Sequence, residues 1–237
     1  MSDKIKFTID DVEIEAEAGQ TIMQAADAAG VYIPRLCANK NLTPHGSCRV
    51  CTVKVNGRSQ AACTQPVAPG VNVESDTDEL KSFRKSLVEM LFVEGNHYCM
   101  FCEKSGNCEL QAVAYRLGID APNHEYLFPN RDVDASHPEI FIDRNRCILC
   151  GRCVRASKEL DGKNVFQFVG RGIHKKVAVN ADAKLSDTEL AGMDMAASSC
   201  PVGAILRKRV GFAIPVGQRL YDVKPIGSDI EANRTTE

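Results

Sequence analysis

The residues able to do chemistry are the cysteines. There are 11 in a chain of 237 residues, and they fall in groups: Cys37, Cys48, Cys51 and Cys63; Cys99, Cys102 and Cys108; Cys147, Cys150 and Cys153; then Cys200. Inert core thiols scatter, and these do not. The start, Met1-Ser2-Asp3-Lys4-Ile5, lacks the basic-then-apolar pattern of a secretion signal, which predicts a reducing, cytoplasmic setting. An odd number of thiols there argues against a disulfide framework and for metal.

The first group has the spacing C-x10-C-x2-C-x11-C. A [2Fe–2S] cluster needs two thiolates on each iron, and a C-x2-C pair on a tight loop with two distant thiols supplies them. Gly46 in the loop Thr43 to Cys51 lets backbone N–H groups approach the sulfurs, and Arg49 is placed to offset negative charge. Four thiolates also suit structural zinc, and spacing leaves that alternative open. The second group, His97-x-Cys99-x2-Cys102-x5-Cys108, is one thiol short of a [4Fe–4S] set. His97 enters the group with a nitrogen to offer. By position alone such a histidine is more often incidental, but no cysteine is spare and the next histidine, His124, lies outside the motif. The third group, Cys147, Cys150 and Cys153, is the C-x2-C-x2-C run of a [4Fe–4S] cluster, with Cys200-Pro201 to complete it. Four cysteines, three with one histidine, and four again use every thiol.

The elements that must carry these ligands read as α+β. Alternation at Ile5, Phe7 and Ile9, then Val12 and Ile14, predicts a hairpin over 4–16; Thr21 to Ala29 reads as a helix stopped by Gly30. Asn56-Gly57 between Val53-x-Val55 and Ser59 to Cys63 is a second hairpin, and Val71 and Val73 close a β-grasp-like unit. A helix capped by Asp76 follows, with an apolar stripe at Leu80, Phe83, Leu87 and Leu91, and another runs from Glu109 to Leu117. Phe141 and Ile142 suggest a strand before Cys147, and residues 164–179 a hairpin around Gly170-Arg171-Gly172. Ser186 with Glu189 reads as a capping box opening a helix toward Cys200. The expected division is a [2Fe–2S] ferredoxin-like β-grasp domain over 1–76 and a small helical [4Fe–4S] domain with one histidine and three cysteines over 77–118. A connector over 119–138, a bacterial-ferredoxin-like [4Fe–4S] domain over 139–211, and a tail over 212–237 complete it. That tail shows little periodicity and is expected to be disordered or ordered only against a partner.

Composition narrows the function. Charged residues make up 25% and the net charge is −2, which argues against a nucleic-acid binder; no apolar run reaches the length of a membrane span. No dinucleotide fingerprint, Walker loop or catalytic triad stands out. A chain of clusters without a substrate site predicts electron transfer between partners.

Several stretches carry a resemblance over most of the chain, to about residue 211: Tyr32-Ile33-Pro34-Arg35-Leu36-Cys37, Gly46-Ser47-Cys48-Arg49-Val50-Cys51, Glu94-Gly95-Asn96-His97 and Cys102-Glu103-Lys104-Ser105-Gly106-Asn107-Cys108. They resemble the N-terminal region of the large iron–sulfur subunit of NADH:quinone oxidoreductase, and equally the stand-alone diaphorase iron–sulfur subunit of bidirectional NAD-reducing nickel–iron hydrogenases. The single residue between His97 and Cys99, where the respiratory pattern usually has three, and the end at residue 237 favour the hydrogenase group. The resemblance implies a flavin subunit holding FMN and NAD(H), and small and large hydrogenase subunits holding the nickel–iron site. It implies hydrogen:NAD+ oxidoreduction by the assembly, with no catalytic site in this chain. The iron–sulfur subunit of an NAD-linked formate dehydrogenase or of NADH:quinone oxidoreductase is the alternative within the class, and a structural zinc module the alternative outside it.

Overall fold

The computed structural model describes residues 4–181 and 184–233. Strands β1 (Lys4–Ile9) and β2 (Val12–Glu17) form the first hairpin, and β3 (Thr52–Val55) and β4 (Arg58–Ala61) the second. With β5 (Asn72–Glu74) they make a mixed five-stranded sheet of order β2-β1-β5-β3-β4. Only β1 and β5 run parallel, so the two hairpins flank the closing strand, as a β-grasp requires. Pairing Phe7 with Ile14 puts both on the buried face, and helix α1 (Ile22–Ala28) lays Ile22, Met23, Ala25 and Ala26 on the same core. Thr21 and Gln24 form its capping box. Cys51 and Cys63 are embedded in this core.

Helix α2 (Asp78–Val93) is capped by Thr77, whose hydroxyl accepts from Leu80 N, rather than by Asp76 as expected. Its buried face is Leu80, Arg84, Val88, Glu89 and Val93, while Phe83 faces solvent. The expected stripe is thus rotated: Arg84 lies under the sheet domain and donates to the carbonyls of Val50, Thr52 and Ser75. Helix α3 (Glu109–Arg116) follows Cys108 directly.

Residues 119–138 are mostly irregular, yet β6 (Val133–Asp134) joins β7 (Ile140–Asp143) and β10 (Ile205–Arg207) in one antiparallel sheet. Helix α4 (Arg152–Glu159) begins inside the third cysteine group, and β8 (Phe166–Val169) pairs with β9 (Lys176–Val179) as expected. No helix starts at Ser186. A short turn covers Leu185–Asp187, and α5 (Met195–Ser198) forms only after Asp194, starting five residues before Cys200. Gly192 and the acceptor pattern around Asp194, whose carboxylate takes Ala191 N and Lys163 Nζ, break the stretch that a capping-box reading would make continuous.

The described part of the tail is ordered on the body, which corrects the expectation for it. Helices α6 (Leu220–Val223) and α7 (Ser228–Glu231) are tied down where Tyr221 N donates to Gly106 O, and Leu220 N to Asn107 Oδ1. Arg116 donates to Ile226 O and pairs with Glu231. A second core runs continuously from Leu36, Cys37 and Val50 through α3, β7, α4 and α5 to Ile226. All three cysteine groups reach it.

Candidate metal centres

The structure places each expected group on loops that enter or leave a short element. Cys37, Cys48, Cys51 and Cys63 are brought into contact. Cys37 shares hydrogen bonds with Cys48 and Cys63, and Cys51 with Cys63. Cys37 N also lies 3.4 Å from Cys48 Sγ, and the backbone N–H groups of Ser47 and Cys48 address Cys37. Hydrogen bonds from Cys48 and Cys63 hold the Cys37 thiol far below its ordinary range; the bond from Cys63 holds Cys51 down to about 7. Amide donors aimed at clustered sulfurs suit thiolates bound to iron. Arg49 does not supply the expected charge: its side chain is exposed, its backbone is left-handed at φ 59°, and its carbonyl caps Thr52. The positive charges that bear on Cys51 are Arg35 and Arg84.

Cys99, Cys102 and Cys108 share one electrostatic neighbourhood at the start of α3, where burial pushes the Cys108 thiol up to about 12 and raises Cys99. His97 sits on the loop leaving α2, its ring edge-on to Phe92 at 5.5 Å. A backbone hydrogen bond to Leu91 also holds the ring, and Nε2 is buried without a hydrogen-bond partner. Burial holds the imidazole neutral, pushing its pKa down to about 4. A neutral ring, oriented by one nitrogen and orphaned at the other, is the form a metal takes. His137 shows the contrast. Also buried, it is satisfied at both nitrogens, by Leu190 O at 2.7 Å and by Glu139 N and Ile140 N. A Cβ on Gly95 would lie 2.7 Å from His97 Nε2, so only glycine leaves that nitrogen room.

Cys147, Cys150, Cys153 and Cys200 line one small cavity with Ile142, Ile148, Val177, Val202 and Ile205. Burial raises all of Cys147, Cys150 and Cys153, Cys147 to about 11. Thiols this reluctant to ionise in an apolar pocket are held as thiolates once a cation displaces the proton. Among the described residues no three His, Cys, Asp or Glu side chains converge tightly enough to hold one single metal ion. The donor sets fit iron–sulfur clusters by their chemistry: eleven sulfurs and one orphaned imidazole nitrogen, in three sets.

Two arginines, which spacing did not reveal, join the sets. Arg152, 3% exposed and lying between Cys150 and Cys153, holds Glu109 with both Nη atoms and Ala38 O at 2.7 Å. Glu109 follows Cys108 and Ala38 follows Cys37, so one side chain touches residues adjoining all three groups. Arg155 donates to Cys37 O at 2.6 Å. Glu109 N donates to Pro201 O at 2.8 Å, and a Cβ on Gly203 would lie 2.5 Å from Cys102 Sγ, so the segment after Cys200 packs on the second group. The sequence signal for these arginines is their adjacency to ligands, which by itself does not distinguish an inward from an outward side chain.

Comparison with known proteins agrees segment by segment. Residues 2–78 match the 2Fe-2S iron-sulfur cluster binding domain, residues 84–123 the NADH-ubiquinone oxidoreductase-G iron-sulfur binding region, and residues 140–206 the 4Fe-4S single cluster domain. The chain is 43% identical over 224 residues to the NAD-reducing hydrogenase HoxS subunit gamma of Cupriavidus necator, covering 94% of this chain and 95% of that one. It is 33% identical over 210 residues to the NADPH-Fe(3+) oxidoreductase subunit alpha of Geobacter sulfurreducens, covering 88% of this chain and 24% of that one. It is 34% identical over 215 residues to the mitochondrial NADH-ubiquinone oxidoreductase 78 kDa subunit of Candida albicans, covering 88% and 29%. It therefore spans about a quarter of those two relatives and nearly the whole of the first. A chain in the crystal structure of an NAD+-reducing [NiFe]-hydrogenase in the H2-reduced state superposes with a TM-score of 0.93 at 47% identity, covering 98% of this chain and 99% of that one. Matched end to end in sequence and in fold, the chain belongs to the family of the gamma subunit of NAD-reducing hydrogenases.

Proposed function

We propose that this chain is the electron-transfer subunit of an NAD-reducing nickel–iron hydrogenase, relaying electrons between a flavin/NAD(H) subunit and the hydrogenase module. The clusters supply one-electron redox chemistry when bound. The chain's own residues hold, space and tune them. Cys37, Cys48, Cys51 and Cys63 would hold a [2Fe–2S] cluster; His97, Cys99, Cys102 and Cys108 one [4Fe–4S] cluster; Cys147, Cys150, Cys153 and Cys200 the other. The cluster-binding units are those over 1–76, 77–118 and 139–211. FMN, NAD and nickel–iron would belong to the partners. Among the described residues no helix is long and apolar enough to cross a membrane, which accords with a cytoplasmic setting.

The observation that carries this reading is the likeness to the hydrogenase subunits, 43% identity to the gamma subunit and 47% with a TM-score of 0.93 to the solved hydrogenase chain, against 33–34% identity to the respiratory and NADPH-linked relatives. Purification through a tag on this chain tests it. Nickel and a flavin should co-purify, hydrogen should reduce the iron–sulfur signals seen by EPR, and NAD+ should reoxidise them. Molybdenum or membrane subunits in place of nickel, or signals indifferent to hydrogen, would assign the chain to another NAD-linked complex.

A further inference from the structure

Arg146 immediately precedes Cys147 of the third group, yet its side chain turns to the second. Nη1 lies 3.6 Å from Cys102 Sγ, 3.3 Å from Glu103 Oε2 and 3.5 Å from Gly203 O. Nε pairs with Asp143 Oδ2 at 3.1 Å. The side chain is only 19% exposed, so these contacts are made largely out of water. Arg146 therefore reaches a donor of one set while rooted in the turn that enters the other.

A donor to a ligating sulfur withdraws electron density from the thiolate and favours the more negative, reduced state of whatever that sulfur binds. A charged donor does so more strongly than a neutral one. Glu103 is adjacent to Cys102 and accepts from the same Nη1 atom, so it opposes the effect. Resting on the ligand sets proposed above, we infer that Arg146 is a positioning residue that acts through Cys102 to raise the reduction potential of the second cluster, with Glu103 as its counterweight. The turn that enters the third group thus sets the potential of its neighbour. A purely structural Arg146, tying Asp143 to Glu103, would leave that potential unmoved.

The test is an EPR-monitored redox titration of the cluster-loaded complex containing the full chain, with iron and acid-labile sulfide measured in each variant. R146Q shifts the midpoint of the His97-group cluster to more negative potential. R146K, which keeps the charge without the planar fork, falls between R146Q and the parent. E103Q shifts it to more positive potential, and the [2Fe–2S] midpoint holds in all three. An unchanged midpoint in R146Q with full iron content would overturn the inference, as would an equal shift of both [4Fe–4S] clusters. Should R146Q fail to retain the cluster, R146K decides: a midpoint below the parent's supports the role and an unchanged one overturns it. A parent protein with no second-group cluster would instead overturn the ligand assignment, a failure the iron content separates from the others.

Discussion

Between His137 and His97, the difference between a satisfied ring and one with a nitrogen to offer comes down to one atom. His137 spends both nitrogens on backbone groups, whereas His97 leaves Nε2 buried and unpaired beside Gly95. An orphaned buried acceptor costs about 1–3 kcal/mol, a cost that binding a metal removes. A neutral imidazole in place of a thiolate leaves a cluster one negative charge poorer and raises its potential. His97→Cys should therefore retain a [4Fe–4S] cluster and lower its midpoint in an EPR titration. A midpoint equal to that of the parent would show that His97 is not a ligand. The count of thiols named His97 as the candidate; only the fold shows which of its atoms is free.

Elements matter here because the ligands sit at their ends and buried ion pairs lock the ends together. Helix α3 starts after Cys108 and α4 starts between Cys150 and Cys153, and the Arg152–Glu109 pair joins them. Removing one partner of a buried pair strands the other charge. Glu109→Gln should cost about 3 kcal/mol, the lower end of the range for such pairs because a quarter of the Glu109 side chain remains in solvent. It should appear as an earlier urea transition of the cluster-loaded chain, followed by cluster absorbance; an unmoved transition would show that the pair adds nothing. The β-grasp hairpins and α1 were legible because alternation, Asn56-Gly57 and the stop at Gly30 are local signals. The buried face of α2 was not, since Arg84 is inward only because three sheet-domain carbonyls await it. The helix read from Ser186 failed for the same kind of reason: Asp194 and Gly192 commit their backbone surroundings to Lys163 and Glu139, which lie far away in sequence.

At the scale of the whole molecule, the three ligand sets are facets of one packed body. The second core runs from the first-group loop to the last cysteine, and the tail closes over it, Gly227 resting on the ring of Tyr32. A Cβ there would stand 2.3 Å from that ring, which no periodicity in the tail announces. The cysteine groups were legible because the ligand spacing of clusters is local; the arginines that join them, and the ordering of residues 217–233, depend on contacts between distant parts of the chain. The claim on which everything else rests is that every cysteine belongs to one of three clusters. Iron and acid-labile sulfide content, with EPR of the anaerobically reduced protein, tests it most directly. The account predicts about ten irons per chain, with one [2Fe–2S] signal and up to two [4Fe–4S] signals. Zinc without acid-labile sulfide would contradict it outright, and roughly six irons would remove one of the [4Fe–4S] sets from the scheme.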